Sequence, residues 1–148
     1  GITIHPKTGE VWENEHGPKG GDEINIVQKG KNYGWPLITY GINYSGTSIT
    51  DKRSMPGMEQ PLYYWVPSIA PSGMAFSSSN IYKKWKGNLF VGSLKFKYLE
   101  RLVLKRGKVV KREKILDEIG RVRNVKQGPD GYLYLGVEGK GILKVIQK

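Results

Sequence analysis

The sequence predicts an all-β chain made of about three blades of a β-propeller. A turn glycine followed by a strand-forming run recurs as Gly9-Glu10-Val11-Trp12, Gly87-Asn88-Leu89-Phe90-Val91-Gly92 and Gly131-Tyr132-Leu133-Tyr134-Leu135-Gly136. The second and third copies lie 44 residues apart by their glycines, close to the roughly 40 to 50 residues of a propeller blade. Twenty glycines and eight prolines are dispersed among short apolar runs, the pattern of tight turns between short strands.

Each copy follows an apolar stretch and a polar turn: Ile2 to Thr8, Met74 to Lys86, and Val125 to Asp130. Each is followed by another β-prone run, so a unit holds three or four strands. The first two glycines are 78 residues apart, a blade spacing plus an insertion, and residues 41–60, rich in Gly, Ser, Thr and Pro, read as the inserted loop. Tyr98 to Leu104 and Ile142 to Ile146 alternate in part between apolar and polar residues, and Lys105-Arg106-Gly107-Lys108 reads as a hairpin tip. Helical periodicity is sustained nowhere, so any helix is short. Residues 1–148 therefore form one partial propeller domain. Three blades cannot close a ring and leave unpaired strand edges. With Gly1 opening directly in a strand-like segment, the expectation is a fragment, a processed half, or one partner of a two-chain propeller.

Composition narrows the chemistry. The chain has 38% hydrophobic and 11% aromatic residues, enough for one modest core. The absence of cysteine excludes disulfides, thiolate metal sites and cysteine nucleophiles. No run approaches the roughly 18 apolar residues of a membrane-spanning helix. The formal charge of +11 attracts anionic partners in general, but the basic residues are dispersed, as on a solvated surface, and no nucleic-acid-binding module is visible. His5 and His16 lie 11 residues apart with no third histidine, against a histidine-based zinc or copper site. Neither a P-loop, a Rossmann fingerprint nor a nucleophile elbow is present.

The densest unusual segment is Glu15-His16-Gly17-Pro18-Lys19-Gly20-Gly21-Asp22-Glu23, followed by Asn32-Tyr33-Gly34-Trp35-Pro36. It is a loop rich in oxygen donors, the ligand type that hard cations such as calcium favour, although Gly-Pro and Gly-Gly-Asp are also ordinary turn sequences. Arg121 and Arg123 flank Val122 in a strand-like run, where residues two apart share a face. Two guanidiniums so placed can grip one polyanion or simply cover a solvated face. Lys95, just beyond the Leu89 to Ser93 run, is a further cation. Trp12, Tyr63, Tyr64 and Trp65 can stack on a flat ligand or pack between blades.

Taken in series, Glu15 to Asn25 (EHGPKGGDEIN), Asn32 to Pro36 (NYGWP), Pro67 to Gly73 (PSIAPSG), Gly92 to Lys95 (GSLK), Arg121 to Asn124 (RVRN) and Gly128 to Tyr132 (GPDGY) resemble the pyrroloquinoline-quinone-dependent aldose dehydrogenases, the glucose/sorbosone dehydrogenase-like proteins. The resemblance spans nearly the whole chain and implies the C-terminal part of a six-bladed β-propeller. It also implies oxidation of an aldose sugar at its anomeric hydroxyl, with pyrroloquinoline quinone and calcium as cofactors and an external electron acceptor. On matching positions, Gly17 and Pro18 offer carbonyls to the calcium beside the quinone, and Lys95, Arg121 and Arg123 contact the quinone. Ser68 matches a hydroxyl position near it, and Glu23 and Tyr33 match positions where some members bind a further calcium. The family's general-base histidine and an arginine-asparagine pair belong to the N-terminal half, which is the expected partner. No residue of this chain is therefore assigned a catalytic role, and His16 is not promoted to base. Where some members place a tryptophan against the quinone just before the proline, this chain has Val66, with Trp65 one residue earlier. Family usage implies an extracytoplasmic or periplasmic location. The rival reading is a propeller of the same ancestry that binds carbohydrate or protein without catalysis.

Overall fold

The computed structural model describes residues 1–146. Three antiparallel sheets stack face to face, as expected for about three propeller blades. The first has order β1 (Ile2–Ile4), β2 (Val11–Glu15), β3 (Asp22–Val27), β4 (Tyr63–Trp65). The second runs β5 (Pro71–Phe76), β6 (Leu89–Ser93), β7 (Leu99–Lys105), β8 (Lys108–Ile115), and the third β9 (Val122–Gln127), β10 (Leu133–Val137), β11 (Gly141–Lys144). The three turn glycines introduce β2, β6 and β10, the second strand of each sheet. The only helix among the described residues is one 3-10 turn, Lys83–Trp85, and none is long and apolar enough to cross a membrane.

The alternation of strand side chains builds two cores from one sheet. Leu89 and Val91 of β6 point toward Trp12, Ile24 and Trp65 of the first sheet, whereas Phe90 between them joins Val122, Val125 and Leu135 of the third. The middle sheet is thus covered on both faces along β6, whose five residues are all buried, whereas its outer strand β8 is charged and has no buried residue. Gly92 is what lets the third sheet close in: a Cβ there would lie 2.5 Å from the Ser72 hydroxyl and 2.7 Å from a Val122 methyl. Between the first two sheets the fully buried Glu100 accepts hydrogen bonds from the Trp65 indole (3.0 Å) and the Tyr98 hydroxyl (3.4 Å), and pairs with Arg112. A buried carboxylate is tolerated because its charge and lone pairs are so engaged.

The expected hairpin tip is present, with Arg106 and Gly107 at φ +51° and +72° joining β7 to β8. The insertion is longer than the sequence indicated: the whole stretch 28–62 separates β3 from β4, and it folds back on itself through bridges Asn32–Met58 and Ile42–Ser48. This brings the Asn32 to Pro36 segment into the same loop system as residues 41–60.

Candidate functional site

The loop between β2 and β3 is held by a carboxylate. Asp22, fully buried at the start of β3, accepts from the Gly17 amide (2.9 Å), the Ile69 amide (2.7 Å) and the Ala70 amide (3.0 Å). It thereby fastens the Gly17-Pro18 turn to the Ser68-Ile69-Ala70 segment, 47 residues away in the chain at Ile69. Gly17 has no alternative, since a Cβ there would sit 2.0 Å from the Gly20 carbonyl oxygen. The end of β6 joins the same junction: Ser93 Oγ donates to the Ile69 carbonyl (2.8 Å), as does the Lys95 amide (3.2 Å). His16 Nε2 donates to the Pro71 carbonyl at 2.5 Å, so that nitrogen carries the proton. Its ring stands between two cavities.

The first cavity, about 250 Å³, is lined by Glu15, His16, Gly17, Gly21, Glu23, Tyr33, Trp35, Ile38 and Thr39. Glu15 and Glu23 are direct cross-strand partners on β2 and β3, with Glu13 opposite Asn25 on the same face. Burial, reinforced by the Glu15 charge, pushes the Glu23 carboxyl up to about 7. Burial also raises Glu15, with Glu13 adding to the effect. The Tyr33 hydroxyl donates to the Ile26 carbonyl (2.8 Å) and accepts from the Gln28 amide (2.7 Å), so the phenol is engaged with backbone. Among the described residues no group of three or more His, Cys, Asp or Glu is arranged to hold a metal. A cation here would draw on the Glu15 and Glu23 carboxylates together with backbone oxygens.

The second cavity, about 560 Å³, lies on the other side of His16 and is lined by Pro18, Lys19, Tyr44, Ser68, Ala70, Leu94, Lys95, Lys97 and Arg121 as well. Every ionised side chain in that lining is a cation. The Lys95 ammonium stands 5.1 Å from the Phe96 ring centre, and Ser68 Oγ accepts from the Ala70 amide at 3.1 Å. Two lining residues, Ala70 and Lys97, hold left-handed φ values of +51° and +57°, a strain of about 1 kcal/mol or more each that tends to collect at ligand sites.

Of the residues singled out in the sequence, the structure gathers Pro18, Ser68, Lys95 and Arg121 at the basic cavity and Gly17, Glu23 and Tyr33 at the acidic one. Arg123 stands apart. It shares the face of Arg121 but binds Glu138 through Nε at 2.8 Å and through Nη2, and it does not line the basic cavity; Arg121 Nε lies 3.6 Å from the same carboxylate. Trp65, 1% exposed, is a core residue, and Val66 is 59% exposed, so neither gives the cavity an aromatic wall. Sequence reasoning missed Glu15, Lys19, Tyr44 and Lys97 as lining residues. The pairing of β2 with β3 could have found Glu15; the other three come together only through tertiary contacts.

Residues 1–145 match the Glucose / Sorbosone dehydrogenase family. The chain belongs to that family. It is 50% identical over 138 residues to the aldose sugar dehydrogenase YliI of Escherichia coli (strain K12), covering 91% of this chain and 37% of that protein. A crystal structure of a glucose dehydrogenase superposes with a TM-score of 0.94 at 49% identity, over 99% of this chain and 44% of the other. The PQQ-bound aldose sugar dehydrogenase of Streptomyces coelicolor superposes at 0.67 with 25% identity, over 97% and 42%. The chain thus spans less than half the length of these relatives.

Proposed function

We propose that this chain forms the cofactor-holding and cation-holding part of a quinoprotein that oxidises an aldose at its anomeric hydroxyl, and that it acts together with an N-terminal part carrying the base. The observation that carries this reading is the basic cavity beside the Gly17-Pro18 turn. Four cations face it with no carboxylate in its lining, which suits pyrroloquinoline quinone, a flat ligand with several carboxylates. When bound, the quinone supplies a two-electron acceptor for hydride from the sugar, to be reoxidised by an external acceptor. Lys95 and Arg121 neutralise its carboxylates. Ser68 offers a hydroxyl at the floor, and Arg123 supports Arg121 indirectly by sharing Glu138. The carbonyls of Gly17 and Pro18, at a turn clamped by Asp22, suit a calcium ion, which prefers oxygen ligands. Glu23, with the backbone at Tyr33, suits a second calcium in the acidic cavity: a desolvated carboxylate short of donors gains most from a cation. His16, with Nε2–H directed at Pro71, orients the loop and leaves the hydroxyl proton of the sugar to the N-terminal part. We place the assembled protein outside the cytoplasm.

The test is a titration of pyrroloquinoline quinone with calcium into this chain, alone and mixed with an N-terminal part taken from the Escherichia coli relative, followed by quinone absorbance and sugar-dependent dye reduction. Quinone binding with sugar-dependent reduction in the pair, and no reduction by the chain alone, is the expected result. Absence of quinone binding in both forms overturns the reading and leaves a propeller that binds carbohydrate or protein without catalysis.

A further inference from the structure

The insertion between β3 and β4 is more than a covering loop. Its segment 41–50 is a built hairpin: Ile42 bridges Ser48, the Asn43 amide donates to the Thr47 carbonyl (3.0 Å), and the Gly46 amide donates to the Asn43 carbonyl (2.9 Å). The Asn43 side chain adds a bond to Thr47 Oγ1 (3.0 Å) and one to the Ser48 carbonyl (3.3 Å). The hairpin is docked directly beside the Gly17-Pro18 turn, since the Lys19 amide donates to the Ile42 carbonyl at 3.1 Å. At Gly41 a Cβ would lie 2.3 Å from the Gly20 carbonyl oxygen, which records how closely the two backbones approach.

On this tied-down hairpin Tyr44 is 79% exposed and lines the basic cavity together with Lys19 and Ser68. An ordered loop that holds a large ring in solvent gains nothing for the fold from that ring, since burying it elsewhere would stabilise the chain. Other aromatics of this loop system have other settings: exposed Trp35 belongs to the acidic cavity, and half-buried Tyr40 stacks on Tyr64 at 3.7 Å between ring centres. The basic cavity offers charge from Lys19, Lys95, Lys97 and Arg121, and besides the His16 imidazole, whose Nε2 is tied to Pro71, Tyr44 is the aromatic ring in its lining.

We infer that Tyr44 is a ligand-positioning residue: its ring stacks on the planar ring system of the anion whose carboxylates the cavity cations hold. The inference rests on the quinone reading above and adds a contact that fixes the ligand's plane, where the cations fix only its charged edge. Two aromatic systems prefer an offset-stacked arrangement, which sets the plane of the bound ring system. The ring face, not the hydroxyl, is the working part, so phenylalanine preserves it.

The experiment is the quinone titration repeated with Tyr44→Ala and Tyr44→Phe, in the chain alone and in the pair, read by binding-dependent absorbance and by quenching of protein fluorescence. Y44A is expected to weaken quinone binding on the order of tenfold and Y44F to stay within about twofold of the parent. Both keep the parent's thermal midpoint, because the side chain is exposed. If the parent binds quinone and Y44A binds equally well, the stacking role is overturned while the quinone reading stands. If Y44F falls as far as Y44A, the hydroxyl and not the ring is the contact, which also overturns it. If the parent itself binds no quinone, the functional reading fails first and this inference falls with it.

Discussion

The acidic and basic cavities that meet at His16 are shaped by one loop and the residues around it, yet they carry opposite charge. The basic side draws its charge from Lys19, Lys95, Lys97 and Arg121, outside β3, and the alternation of β3 decides which of its carboxylates reaches the acidic side. Asp22 and Glu23 are neighbours in sequence and point to opposite faces of the first sheet. Asp22 turns inward and receives three backbone amides; Glu23 turns to the other face, where burial and Glu15 outweigh a contact with Asn25 and raise its carboxyl to about 7. Two buried carboxylates one residue apart thus have different work. The one saturated by donors organises the loop, and the one short of donors is ready for a cation or a proton.

The largest expected effect breaks that comparison at its shared support. Asp22→Ala leaves the Gly17 and Ile69 amides without their acceptor and the Ala70 amide with Ser68 Oγ alone, and orphaned buried donors cost about 1–3 kcal/mol each. The loss of stability is expected to be about 2 kcal/mol or more, read as a shift of the urea midpoint, and the proposed binding of quinone and of calcium is expected to weaken together. A change below about 1 kcal/mol would show that the amides find other partners and that Asp22 is not the clamp.

A smaller effect sharpens the basic side. Arg121 lines the cavity while Arg123 is held by Glu138, so Arg121→Ala is expected to weaken quinone binding about tenfold and Arg123→Ala no more than about threefold. Equal losses from the two variants in a quinone titration would mean that Glu138 releases Arg123 to the ligand.

Much of this was legible in the sequence, and the limits have physical causes. Gly9, Gly87 and Gly131 announced the second strand of every sheet, because a turn glycine before a strand is a local requirement of the backbone. The turn of Gly17 and Pro18 and the placement of Lys95 just after β6 were equally local. The separation of Arg121 from Arg123 was not: strand alternation puts both on one face, and what divides them is Glu138, which the β9–β10 pairing brings within reach. The long insertion hid Tyr44 and Lys19 for a similar reason, since their place at the cavity depends on a hairpin docking against a turn more than 20 residues earlier. Lys97, exposed at the cavity rim, has a left-handed backbone that no periodicity announces.

The smallest effect concerns the acidic side and has a definite sign. The ordinary glutamate value is 4.5, and in the folded chain Glu23 stands near 7. Between those values the folded state holds a proton that the unfolded chain has released. Each step up in pH therefore disfavours folding across that window, and the penalty is complete above about 7. The thermal midpoint should fall as pH rises from about 4.5 to 7, and Glu23→Gln should flatten the fall. The flattening is partial, because burial raises Glu13 and Glu15 too, although removing the Glu23 charge also relieves Glu15 across the strand pair. Calcium distinguishes a cation site from a merely strained acid. A bound cation competes with the proton, so added calcium should raise the midpoint more at pH 8 than at pH 5 in the parent, and equally little at both in Glu23→Gln. If calcium raises both proteins alike, the ion is held elsewhere, and the raised carboxyl of Glu23 reflects burial beside Glu15 alone.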